Sequence, residues 1–153
     1  MGAIEGCEIR DLTPFEDERG WLAEFFRLDE LPSSLQPRMG YLSLTRPGVA
    51  RGPHEHERQT DLFLFFSGTF RLYAWDMRTA SPTYGNRLRM DLGEAQPAVV
   101  VVPPGVVHAY RNVGSGDAYI INCPNGLYAG EARRDPVDEI RHEDRMDSPF
   151  HLD

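Results

Sequence analysis

Apolar and polar positions along the chain alternate over short runs, and the runs are separated by turn residues. Tyr41, Ser43 and Thr45 alternate with Leu42 and Leu44, the period of a strand with two unlike faces. Residues 61–66 are almost wholly apolar. Ser67-Gly68 then turns the chain into 69–75, where Phe70, Tyr73 and Trp75 favour β structure. Residues 21–26, 86–92, 98–102, 106–113 and 118–123 read as further strands. Pro103-Pro104-Gly105 ends one, and Gly114-Ser115-Gly116-Asp117 separates the last two. Helical periodicity is weak: residues 28–35 leave room for one turn, and the polar stretch 136–145 is expected to form a short helix. The charged last dozen residues read as a surface strap or a loose end. Turn signals recurring every eight to twelve residues predict an all-β sandwich or barrel.

Composition narrows this further. The 153 residues suit one core, so 1–153 reads as a single domain. A net charge of −8 gives no basic surface for nucleic acid or an anionic membrane. No stretch approaches the roughly 18 apolar residues of a spanning helix, and the charged N-terminus does not read as a signal peptide. The cytoplasm is the expected compartment. Cys7 and Cys123 match no zinc spacing and read as isolated thiols.

The chemistry concentrates in histidines. His54 and His56 are two apart, which puts both on one face of an extended strand. Gly48, His54, His56, Asp61 and Gly68, followed by Pro103, Gly105, His108 and Asn112, resemble the two motifs of the cupin superfamily at their usual spacings. The resemblance implies an all-β jelly-roll barrel. It also implies a site of His54, His56, Asp61 and His108 for one divalent transition metal (Zn, Fe, Mn, Ni or Co). Cupins usually carry Glu where Asp61 stands. A polar pocket without metal is the other reading of the same residues.

Further segments resemble one cupin branch, the dTDP-4-dehydrorhamnose 3,5-epimerases: Phe15 to Trp21 with Glu24 and Phe25, Arg51-Gly52-Pro53-His54, Asp76-Met77-Arg78 with Ser81 to Gly85, Pro103 to Ala109, and Asn122 to Tyr128. The resemblance implies that His54 is the base and Tyr128 the acid. It makes Arg19, Glu24, Arg51 and His108 substrate-binding, with the two arginines on a diphosphate. It further implies a nucleotide-sugar substrate and a homodimer in which N-terminal strands join the partner's sheet and Trp21 and Phe25 anchor the interface. Phe63, Phe65, Leu72, Val100, Val102 and Ile120 are expected in the barrel walls or that interface.

This chain also departs from the branch. Asp61 stands where the family has a lysine, Met39 and Tyr41 replace pocket amides, and His56 is an added imidazole. The family's C-terminal aspartate, which partners the base, lies beyond the end of this chain; Asp117 and the tail acids are the candidates for its role. Three functions therefore compete: a keto-sugar epimerase or isomerase, a metal-dependent cupin such as a dioxygenase or small-molecule isomerase, and a non-catalytic binding cupin.

Overall fold

The computed structural model describes residues 2–153. Two five-stranded antiparallel sheets face each other. One runs β1 (Glu8–Asp11), β9 (Ala98–Val102), β6 (Asp61–Phe65), β11 (Ala118–Asn122) and β4 (Tyr41–Thr45). The other runs β12 (Ile140–Arg141), β5 (Ala50–Glu55), β10 (Val106–Asn112), β7 (Thr69–Asp76) and β8 (Arg87–Gly93). β2 (Phe15–Asp17) and β3 (Gly20–Leu22) form a separate hairpin. This is the expected all-β jelly roll.

Alternation decides what each strand buries. Phe63 and Phe65 of β6, Phe70 and Leu72 of β7, Val100 and Val102 of β9, Tyr110 of β10 and Ile120 of β11 pack together between the sheets. The six predicted wall residues are all in this core. The intervening positions face outward and are covered separately. Leu62, Leu64 and Val99 lie under Phe25, Phe26, Leu31 and Leu35. Tyr73, Trp75, Val107 and Ala109 lie under Phe150 and Leu152 of the tail.

Three expectations need correction. Only Trp21 and Leu22 of 21–26 are in a strand, because Phe25 and Phe26 turn back onto the outer face of β6 and β9. Phe25 is thus packed within its own chain, whereas Trp21 is 58% exposed. Residues 136–145 form no helix: Val137 and Ile140 supply no helical stripe, and Ile140 and Arg141 instead pair with Glu55 and His54 as the edge strand β12. The last residues are a strap, with Tyr73 OH donating to the Asp153 carbonyl and Arg87 paired to the Asp153 carboxylate. Between 28 and 35 the chain does turn once, with Leu31 N–H donating to Arg27 O (3.2 Å). Both cysteines are free, and burial raises the Cys7 thiol pKa to about 12.

Candidate active site

The period that buries Phe63 and Phe65 also turns Asp61 inward, at the start of β6. On β10 the same alternation puts His108 inward, ahead of Tyr110; on β11 it puts Asn122 inward, beyond Ile120. One mouth of the barrel is therefore polar. β5 brings His54 opposite His108, with a register shift before Tyr110 pairs with Arg51. Gly52 lies in this irregular stretch at φ +80°, and a Cβ there would sit 2.5 Å from the His108 carbonyl oxygen. Only glycine lets the two strands approach this closely.

His54, His56 and His108 come together with ring centroids 4.5–5.8 Å apart. Asp61 Oδ2 lies 3.1 Å from His56 Nε2 and 3.2 Å from His108 Nε2. The carboxylate is held from its other oxygen: Gln59 Nε2 (2.9 Å) and Asn122 Nδ2 (2.8 Å) both donate to Oδ1. Burial alone would raise the Asp61 pKa, but the contacts with His108 and His56 outweigh it and hold the carboxyl well below the usual range. Burial alone would lower that of His56, yet Asp61, then the Asp138 carbonyl, hold it up at about 9. His54 has no such partner. Burial first, then the fields of His108 and His56, push its pKa down to about 2, so its ring is neutral.

The tail completes the mouth. The Asp138 carboxylate accepts the backbone N–H groups of Glu57, Arg58 and Gln59 (2.8–3.0 Å), and its carbonyl accepts from His56 Nδ1. Glu139 and Glu143 bring carboxylate oxygens within 3.8 and 4.0 Å of His54 Nδ1. Sequence reasoning offered the tail acids only as a group of candidates, without separating these three from the rest. The usable signal was the absence of an apolar period in 136–145, which argued for an extended strap. Asp117 is not a partner of His54; it lies in the turn at the far end of the barrel, beside Ser67 and Glu94.

Two cavities of about 300 and 340 Å³ share Tyr41, Arg51, His54 and Glu139. Tyr128, on the loop after β11, lines the first of these with His56 and Met39, and is 59% exposed at its rim. Base and acid candidates thus open onto one space. Arg51 is braced there, donating to Thr45 Oγ1 (3.1 Å) and the Leu44 carbonyl (2.8 Å). His108, 1% exposed, lines neither cavity; its ring lies 4.5 Å from that of His54, behind the cavity wall. Arg19 and Glu24 line neither cavity. Arg19 caps the β2–β3 turn, its side chain 85% exposed and paired to Asp17 at 2.5 Å, and Glu24 sits 3.6 Å from Arg27.

A double-sheet antiparallel barrel with histidines and an acid converging at one mouth defines a cupin. Comparison with known proteins narrows the class. A sequence profile of the dTDP-4-dehydrorhamnose 3,5-epimerase family matches residues 2–144. The Probable low-salt glycan biosynthesis epimerase Agl13 of Haloferax volcanii is 36% identical over 91% of this chain and 88% of its own. The spore coat polysaccharide biosynthesis protein SpsL of Bacillus subtilis is 35% identical over 77% of this chain and 78% of its own. The crystal structure of a dTDP sugar isomerase from Desulfovibrio desulfuricans G20 superposes with a TM-score of 0.80 at 25% identity, covering 97% of this chain and 91% of that one. The chain belongs to the dTDP-4-dehydrorhamnose 3,5-epimerase family, and so to the isomerase class of enzymes.

Proposed function

We propose that this protein epimerises a nucleotide-linked 4-keto-6-deoxyhexose, with a dTDP-4-keto sugar as the substrate class. The observation that carries this reading is that His54 and Tyr128 open onto one cavity beside Arg51. A ketone at C4 acidifies the protons at C3 and C5. His54 is neutral and able to accept one. Its Nδ1 is buried towards Glu139 and Glu143, which leaves Nε2 as the nitrogen open to the cavity. The two carboxylates stabilise the imidazolium that forms. Tyr128 returns a proton from its own side of the cavity and inverts the centre. Arg51, with its guanidinium already oriented, offers donors to the substrate's diphosphate.

A homodimer fits the same reading. The β2–β3 hairpin pairs with no other described strand, and Phe15, Trp21 and Leu22 on it are 58–68% exposed. β1 pairs with β9 of its own chain, which leaves the hairpin as the N-terminal element outside both sheets. Arg19 and Glu24 serve a substrate only in such an assembly, because neither reaches the cavities of its own protomer.

The test is solvent exchange. In D₂O the wild-type protein is expected to place deuterium at C3 or C5 of a dTDP-4-keto-6-deoxyhexose, read by mass spectrometry and NMR. Absence of exchange at saturating substrate would overturn the reading.

A further inference from the structure

All 16 basic residues of this chain are arginines, so no lysine ammonium meets an oxyanion here. Abstraction of a proton from C3 or C5 nevertheless drives negative charge onto the C4 oxygen, and that charge calls for a donor aimed at it. Around the cavities, many polar hydrogens are already spent. Arg51 donates to Thr45 Oγ1 and the Leu44 carbonyl, Gln59 Nε2 donates to Asp61 Oδ1, and Arg141 is paired with Glu143 and Asp144. His56 has an acceptor at each ring nitrogen, the Asp138 carbonyl and Asp61 Oδ2. The Tyr41 hydroxyl is different. Asn122 Oδ1 accepts from Leu62 N–H (3.1 Å), which fixes the orientation of the amide. Its Nδ2 donates twice, to Asp61 Oδ1 (2.8 Å) and to Tyr41 Oη (3.0 Å). An amide nitrogen only donates, so Tyr41 Oη accepts that bond and its own proton is left over. No acceptor among the described residues takes it.

We propose that Tyr41 is a catalytic residue whose O–H donates to the C4 oxygen of the keto sugar and stabilises the enolate that forms there. This role rests on the keto-sugar reading of the site and adds the group that holds the developing charge. Tyr41 is well placed for it. β4 and β5 lie in opposite sheets, and the alternation that turns Ser43 and Thr45 inward turns Tyr41 inward as well. Tyr41 lines both cavities together with His54 and Arg51, so donor and base share one space. Asn122 stands between the Asp61 carboxylate and this space, and the N–H it gives to Tyr41 polarises the phenol into a stronger donor. Burial pushes the Tyr41 pKa up, so the proton stays on its oxygen. In the reaction, His54 takes the proton from carbon and the C–H electron pair moves through the new C=C bond onto the C4 oxygen, where Tyr41 meets it. Tyr128 then protonates the carbon, the pair returns and the ketone re-forms. Solvent removes the proton from His54 and restores that of Tyr128. Tyr41 keeps its proton throughout, whereas Tyr128 gives one up.

The test is Tyr41→Phe in the full chain, which removes one oxygen atom and keeps the ring; thermal melting checks that the variant folds. Deuterium exchange and inversion are followed on a dTDP-4-keto-6-deoxyhexose in D₂O. Tyr41→Phe is expected to slow both together, by about 10²- to 10³-fold in kcat with KM little changed, the usual effect of losing one oxyanion donor. A second readout needs no turnover. In His54→Asn, the stretching band of the bound C4 carbonyl, identified by a ¹³C label, is expected to move to higher frequency when Tyr41→Phe is added. A folded Tyr41→Phe that exchanges and inverts as fast as the wild type overturns the proposal. So does one that exchanges at the wild-type rate without inverting, which makes Tyr41 the acid, and so does a carbonyl band that does not move. In each of these cases the wild type still exchanges and the keto-sugar reading survives. A wild type without exchange overturns that reading, and the role of Tyr41 with it.

Discussion

His54 and His56 are two residues apart and identical in type, yet their surroundings drive them in opposite directions. Burial and neighbouring imidazoles keep His54 neutral; Asp61 and Asp138 hold positive charge on His56. A proton acceptor needs the first state, so His54→Asn should lower turnover about 10²- to 10⁴-fold while leaving thermal stability nearly unchanged. Glu139 and Glu143 act through His54 without a direct hydrogen bond. The double change Glu139→Gln and Glu143→Gln should lower kcat about tenfold, some 1.4 kcal/mol of transition-state stabilisation, with KM little altered. An unchanged kcat would remove these acids from the mechanism. The strand spacing made the histidines legible: period two put His54 and His56 on one side, and the inward run of β6 and β10 carried Asp61 and His108 to the same mouth. Which of the tail acids reach His54 was not legible. A carboxylate reaches His54 only because β12 adds to the edge of β5, a long-range pairing that two strand residues with no apolar alternation do not announce.

At the scale of elements, one loop, one close strand pairing and the tail strap hold the barrel's shape. Asp76, fully buried at the end of β7, accepts from Arg78 Nε (2.8 Å), Ser81 Oγ (2.6 Å) and Thr83 Oγ1 (2.6 Å). The segment from Asp76 to Thr83 is thus a loop whose buried carboxylate is satisfied from within. The Arg78 guanidinium, opposed by burial, holds the Asp76 carboxyl below the usual range. A depressed folded pKa means that this stability is present above the unfolded value of 3.8 and lost as pH falls through and below it. Asp76→Asn should therefore cost about 3 kcal/mol near neutral pH, and the gap to wild type should narrow below about pH 4 in denaturant titrations. A gap constant with pH would mean that the charge contributes nothing. Gly52→Ala has a different cause. With φ at +80° and the His108 carbonyl 2.5 Å from a new Cβ, it should displace β5 from β10 and lower both stability and turnover. Phe150→Ala, in the strap over Tyr73 and Trp75, should cost about 1–2 kcal/mol and leave kcat unaltered.

Over the whole molecule, the jelly roll places a dry core between the sheets and a polar mouth at one end, and the fold class was readable because nearly every strand is a short apolar or alternating run bounded by turn residues. The β2–β3 hairpin is the exception. β2 was not read as a strand and β3 was merged into a run ending at residue 26, because their apolar residues face solvent in a single chain. If that hairpin docks on a second copy, sedimentation of the wild type should give a dimer, and Trp21→Ser combined with Phe15→Ser should shift it towards monomer without unfolding the barrel. A wild type that sediments as a monomer at micromolar concentration would remove the dimer. The account's central claim, that the mouth of the barrel is a proton-transfer site with His54 and Tyr128 in different roles, is tested most directly by following deuterium uptake and inversion together in wild type, His54→Asn and Tyr128→Phe. The account predicts both in the wild type, neither in His54→Asn, and exchange without inversion in Tyr128→Phe. Undiminished exchange in a folded His54→Asn would contradict it.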